Sequence, residues 1–273
     1  MADAPARGMT ALLETVGLTR RYAGLIAVDG VDLVVPEGGV HAVIGPNGAG
    51  KTTFFNLLSG ITRPSAGSIR LGGEDVTDFS ADRRARRGLA RTFQNIRVFG
   101  AMTVQENVLT GLHVRQAANL AEIVLRLARF RRDERASVAR AREALDLVGL
   151  ADMAERRAAT LSYGDQRRLE IARAMAPAPR LLLLDEPAAG MNPAETDALA
   201  TLVQRLSGFG ATVLLVEHDM GFVMRISDSI AVLNFGRLIF SGAPAAVRRE
   251  RSVIEAYLGP KVAARLAAAH ADA

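Results

Sequence analysis

The sequence has no cysteine, few aromatic residues and hardly any lysine. Without a thiol, a disulfide framework and a thiolate metal site are both excluded, and a reducing cytoplasm is the expected setting. The longest apolar runs, LLLL before Asp185 and TVLLV at 212–216, fall far short of the roughly 18 to 20 residues needed to span a bilayer. The opening MADAPARG has no apolar stretch of a secretory leader, so any role at a membrane is expected to be peripheral. Of the 34 basic side chains, all but Lys51 and Lys261 are arginine, and the net charge is +5. A nucleic-acid surface would need basic residues gathered on one face with stacking aromatics between them. Aromatics are only 5% of the chain, so no nucleic-acid partner is expected. The clusters Arg83, Arg84, Arg86, Arg87 and Arg129, Arg131, Arg132 read instead as solvated helix faces or anionic-lipid contacts.

What is present is a chain of 273 residues, 49% apolar, ample for the core of one large domain or two small ones. From Leu12 to Gly45 short β-rich runs alternate with turn residues at Gly24, Gly30, Pro36 to Gly39 and Gly45, the pattern of an antiparallel or mixed sheet. VHAVI then runs into a glycine loop, and KTTFFNLLSGI follows with helical spacing through Phe54, Leu57, Leu58 and Ile61. SADRRARRG predicts a short helix capped by Ser80 and stopped by Gly88. From about 100 to 178 the chain is rich in Ala, Arg, Leu and Glu. Helical spacing there runs through Leu120, Ile123, Val124 and Leu127, and again through Ala141, Ala144, Leu145 and Val148, so a helical segment is expected between strands. Strands return at RLLLLD, TVLLV and SIAVLNFGRLIFSG, the last a hairpin turning at Asn234 to Gly236. Helices at 193–207 and 219–226 separate these runs, which implies parallel strands with helical crossovers. The Ala-rich tail from Gly259 offers no recognisable chemistry.

GPNGAGKTT at 45–53 fits the phosphate-loop pattern, placed between a strand and a helix as the mechanism requires. Gly45, Gly48 and Gly50, with Pro46, Asn47 and Ala49 between them, let backbone amides face phosphate oxygens in front of a helix N-terminus. Lys51 adds a compact charge where a planar guanidinium would not serve, and Thr52, followed by Thr53, offers a hydroxyl to Mg²⁺. LLLLDEP ends a buried strand in two carboxylates: Asp185 suits the metal and Glu186 suits the attacking water, the bland alternative being a capping pair before Pro187. Gln94 follows a short strand where its amide could meet both Mg²⁺ and water; a Gln in a loop carries no meaning by itself. His218 lies just past a strand end within reach of a γ-phosphate, although a lone His is more often a cap or surface residue. Tyr22, in a turn before the loop, could stack on adenine or be a sheet-edge aromatic. In LSYGDQ, Ser162 can cap a helix beginning near Gly164, with Asp165 completing a capping box. That helix N-terminus is a second anion site, surplus in one chain unless it serves the nucleotide of another.

Taken in order, these elements resemble the nucleotide-binding subunits of ATP-binding cassette (ABC) proteins, from about residue 12 to 259. The resemblance implies an α/β P-loop NTPase with a mixed, largely parallel core sheet, an antiparallel β-subdomain and an inserted helical subdomain. It implies one domain at 10–259, with core 10–93 and 179–241 and helical subdomain 94–178, then a tail at 260–273. It further implies ATP and Mg²⁺ as ligands and a head-to-tail dimer, in which Lys51, Thr52 and Gln94 of one subunit face Ser162 and Gly164 of the partner subunit. Three positions in two motifs depart from the family pattern: Ser162-Tyr163-Gly164-Asp165 replaces the common Ser-Gly-Gly-Gln, so that Tyr163 takes the place of the first glycine and Asp165 that of the glutamine, and Asn192 stands where the loop after the strand acids commonly has Asp. The details RTFQNIRVF, MTVQENVL, DEPAAGMNP, VEHDM and AYLG are similar to the larger ATPase subunit of branched-chain amino acid importers, as is the extra helical segment near 113–135. The implied partners are permeases, a second ATPase and, indirectly, a periplasmic or extracellular substrate-binding protein, and the implied position is the inner face of the membrane. Motors for urea or amide import, lipopolysaccharide export, and soluble ABC ATPases acting on nucleic acid or ribosomes stand as alternatives.

Overall fold

The computed structural model describes residues 10–112 and 128–258; the helical spacing predicted from Leu120 to Leu127 and the tail from 260 lie outside them. Strands β1 (Ala11–Tyr22) and β2 (Leu25–Pro36) pair antiparallel, and β3 (Val40–Ile44) then enters a second sheet. After α1 (Lys51–Leu58), strands β4 (Ala66–Leu71) and β5 (Glu74–Asp75) return to the first sheet, whose order is β2-β1-β4-β5. Next come α2 (Ala81–Arg86), β6 (Leu89–Arg91) and three helices, α3 (Val104–Leu112), α4 (Ala128–Val148) and α5 (Tyr163–Met175). The chain continues through β7 (Leu181–Asp185), α6 (Pro193–Gly208), β8 (Thr212–Val216), α7 (Met220–Ile226), β9 (Ser229–Asn234), β10 (Arg237–Gly242), α8 (Pro244–Val247) and α9 (Arg251–Leu258). The second sheet has the order β10-β9-β3-β8-β7-β6 and is parallel except for the β9/β10 hairpin. The α/β class with separate antiparallel and mixed sheets agrees with the sequence expectation.

Every residue of β3, β7 and β8 is buried, as parallel strands covered on both faces require. Because successive side chains point to opposite faces, each strand feeds two cores. Leu182, Leu184, Val213 and Leu215 join the helical side with Leu169, Leu199 and Phe222. Leu181, Leu183, Leu214 and Val216 join the side holding Phe54 and Leu58 of α1 with Leu13, Val31 and Ile69 of the first sheet. The parallel sheet is thus a central layer, and its strand ends at Ile44, Asp185 and Val216 open on one edge.

Four local expectations fail for identifiable reasons. Gly30 is no turn: it lies inside β2 with φ 61°, at a shift in the β1/β2 register, and Thr19 Oγ1 accepts its N–H at 3.0 Å. Ile61 is not on the core face of α1, since the helix ends at Leu58 and Gly60 turns the chain, leaving Ile61 52% exposed. The Ser80 hydroxyl donates to the Asp82 carboxylate instead of capping α2. Arg84 is no solvated residue but fully buried, its guanidinium donating to the carbonyls of Leu57, Leu58, Thr77 and Phe79. It thereby satisfies the orphan carbonyls at the end of α1, a need that a charge count along the sequence does not reveal.

Candidate active site

β3 delivers the chain to the loop 45–50 from the middle of the sheet, between β8 and β9. The loop leaves no room for side chains at its ends. A Cβ on Gly45 would lie 2.2 Å from the Leu233 carbonyl oxygen, and one on Gly50 would lie 2.3 Å from that of Ala27; both have φ in the left-handed half, at 154° and 98°. Gly50 also gives α1 no side-chain cap, so the first-turn N–H groups stay available to an anion. Pro46 is half-buried, Ala49 buried, and Asn47, Gly48 and Thr52 exposed, with Thr53 between. Lys51 is buried and its Nζ donates to the carbonyls of Gly45 at 2.7 Å and Pro46 at 3.1 Å. Burial pushes its pKa down, opposed by the carboxylate of Glu186.

The acids at the end of β7 point to different neighbours. Asp185 is buried and its Oδ2 accepts from the Arg91 guanidinium at 2.8 Å. Arg91 also donates to Asn56 Oδ1 at 2.8 Å and Ser59 Oγ at 2.7 Å, so it ties β6, β7 and α1 together beneath the loop. Glu186 has φ 45°, a costly conformation for a residue with a Cβ, and its Oε2 accepts from Gln94 Nε2 at 2.9 Å. His218 Nδ1 lies 3.9 Å from the same oxygen and 3.8 Å from Glu217 Oε2, with the imidazole 62% exposed. The structure therefore gathers Gln94, Glu186 and His218, three residues far apart in sequence, around one carboxylate oxygen beside the phosphate loop.

Tyr22 ends β1 in the hairpin whose next strand carries Ala27 against Gly50. The residue is 41% exposed, with the Arg20 guanidinium 4.4 Å from the ring centroid. Ser162 and Gly164 sit elsewhere, at the start of α5. Ser162 Oγ accepts the Asp165 N–H at 3.2 Å, but the reciprocal half of the capping box is missing, because the Asp165 carboxylate pairs with Arg168. The complete box stands one helix later, where the Asn192 and Glu195 side chains each accept the other's backbone N–H at 3.0 Å.

Sequence reasoning missed the residues that hold this machinery. Arg167, fully buried on α5, donates to the carbonyls of Phe93 and Gln94, each at 2.8 Å, and pairs with the buried Glu170. Burial raises the pKa of Glu170 against the pull of Arg167. Glu217, also buried, accepts the Ala188 N–H at 2.7 Å and so pins the turn after Glu186; its pKa too is raised by burial. The signal available was charge at a helix or strand position where neighbours are apolar, which marks an inward-facing ion but not its partner. A cleft of about 520 Å³ opens between β6 and α5, lined by Ile61, Leu89, Phe93, Phe99 and Pro179 together with the charged side chains of Arg91, Arg97, Glu170 and Arg173.

Residues 28–189 match the family model described as ABC transporter. The chain belongs to the ABC transporter family. Among its relatives, the high-affinity branched-chain amino acid transport ATP-binding protein BraF of Pseudomonas aeruginosa is 50% identical over 249 residues, 91% of this chain and 98% of that protein. LivG of Escherichia coli, with the same descriptive name, is 45% identical over the same extent. Two crystal structures of ATP-binding cassettes from ABC transporters, one nucleotide-free and one in an ADP conformation, superpose with a TM-score of 0.79 each, at 29% and 27% identity. They cover 90% and 91% of this chain and 98% and 99% of their own. The uncapped start of α1, the glycine cradle and the buried ammonium fit the nucleotide polyphosphate that this family binds. Among the described residues no group of three or more His, Cys, Asp or Glu gathers that could hold a metal by itself. A nucleotide-bound Mg²⁺ takes one or two carboxylates plus phosphate oxygens, and Asp185, one oxygen of which is engaged by Arg91, offers a carboxylate at the end of β7.

Proposed function

We propose that this chain is the ATP-binding and ATP-hydrolysing subunit of a membrane importer for branched-chain or other hydrophobic amino acids. The convergence of Gln94 and His218 on Glu186, beside a phosphate loop, carries the catalytic part. The naming of BraF and LivG supports the cargo. In this proposal residues 10–259 form one nucleotide-binding domain, with core 10–93 and 179–241 and helical subdomain 94–178, and 260–273 follow it as a tail. Gly45 to Thr53 bind the phosphates and Tyr22 stacks on adenine. Thr52, Gln94 and the free oxygen of Asp185 would hold Mg²⁺, which supplies charge neutralisation on the phosphates when bound. Glu186 accepts a proton from the attacking water, Gln94 orients that water and the carboxylate, and His218 donates a hydrogen bond to the γ-phosphate. Ser162 and Gly164 of the partner subunit close the site.

The partner subunit is a second ATPase or another copy of this chain. Permeases dock from the membrane, with a periplasmic binding protein engaged only through them, so the chain works from the inner face. The cleft between β6 and α5 is the surface we assign to a permease segment, because Glu170, which lines it, pairs with Arg167, and Arg167 holds the Gln94 carbonyl. Uptake of labelled leucine, isoleucine and valine in cells lacking this chain tests the proposal: ATP-dependent uptake is lost and returns with wild type but not with Glu186→Gln. Uptake unaffected by the loss, with ribosomes or DNA recovered on the purified chain in detergent, would sink it.

A further inference from the structure

We infer that Tyr163 is a positioning residue that fastens the start of helix α5 to the hydrolysis loop, residues 186–192 between β7 and α6, of its own chain. The inference rests on the proposed function, in which Glu186 acts on the nucleotide held by its own subunit while Ser162 and Gly164 act on the partner's. Tyr163 Oη donates to the Ala189 carbonyl at 3.0 Å. The N–H of the same Ala189 donates to the Glu186 carbonyl at 3.2 Å, closing the turn in which Glu186 holds its positive φ. Ala189 thus connects Glu186 to the start of α5 through two hydrogen bonds. The tyrosine ring covers Gly190, where an added Cβ would touch Oη, Cε1 and Cζ at 3.4 to 3.5 Å.

A second brace lies beside the first. A Cβ on Gly164 would meet Glu195 Oε1 at 3.1 Å, and Glu195 is fixed by its reciprocal box with Asn192 at the end of the hydrolysis loop. The first turns of α5 and α6 therefore abut, with Gly164 allowing the approach. Tyr163 and Asn192, two of the three positions at which the sequence departs from the common family pattern, belong to one joint; the third, Asp165, pairs with Arg168 instead. A glycine at 163 would remove both the hydrogen bond and the ring packing. The consequence is mechanical: a shift of the Glu186 turn during hydrolysis is transmitted to Ser162 without passing through the partner, so the state of one nucleotide site reaches the other through a rigid link.

Tyr163→Phe in the full-length chain removes the hydroxyl and keeps the ring on Gly190. The expected result is a kcat for ATP lowered about 3- to 10-fold, the range given by loss of one ordinary hydrogen bond, with KM unchanged. Amide hydrogen exchange should rise together at Ala189 and Met191 in the loop and at Asp165 and Gln166 in the first turn of α5, a joint response that a local packing role would not give. Tyr163→Gly should move the same quantities further. Wild-type kcat and wild-type exchange in Tyr163→Phe, alongside an inactive Glu186→Gln control, overturn the link and leave the ATPase proposal standing. A Glu186→Gln control as active as wild type overturns the ATPase proposal and the link with it.

Discussion

Arg91 shows how much of the site depends on a residue that does no chemistry. It is the ion partner of Asp185, with both side chains 7% exposed, and removing one partner of a buried pair leaves an uncompensated charge. Arg91→Met is expected to lower the unfolding free energy by about 3–5 kcal/mol in chemical denaturation. It should also depress ATP hydrolysis, because Asp185 and Asn56 lose their common anchor. His41 gives the pH dependence. Its Nε2–H donates to the Gly38 carbonyl at 2.9 Å, so Nδ1 accepts from Ser229 at 2.7 Å, and burial lowers its pKa below the usual 6.5. A depressed folded-state pKa means that the unfolded chain binds the proton more readily, so the stability contributed is complete above about pH 6.5 and is lost as pH falls through the folded value. Denaturation midpoints measured downward from pH 7.5 should fall for wild type and fall less for His41→Gln. The candidate chemical residues were legible in the sequence because each occupies a strand end or loop with a local pattern. Arg91, Arg167 and Glu217 were not, since each makes sense only with a partner that the fold brings to it.

At the scale of elements, the strand, glycine loop and helix from Val40 to Leu58 were legible because the pattern is local. The two glycines that limit it are set by distant backbone, Leu233 for Gly45 and Ala27 for Gly50. Gly50→Ala is therefore expected to abolish ATP binding and lower the thermal midpoint. Gly48→Ala, with φ 80° but nothing within 4 Å of the added Cβ, should bear only the roughly 1–2 kcal/mol of left-handed backbone strain. Titration with a fluorescent ATP analogue and thermal melting separate the two; equal losses would deny the close approach at Gly50. The errors at this scale share a cause. Gly30 and Ser80 carry residue types that favour turns and caps, but the register shift in β2 and the nearby Asp82 decided their roles. The Asp165 half of the capping box failed likewise, to the competing guanidinium of Arg168.

For the whole molecule, the central parallel sheet lies between an antiparallel sheet and a layer of helices, and its strand ends present phosphate loop and acids on one edge. Strand order was not written in the sequence, because parallel pairing follows from crossovers that only the assembled cores fix. The most direct test of the account is steady-state ATP hydrolysis by Glu186→Gln beside wild type, with bound nucleotide and molecular mass measured on the same samples. The predicted result is no turnover while ATP stays bound and a dimer accumulates. Hydrolysis by the variant at the wild-type rate would contradict it.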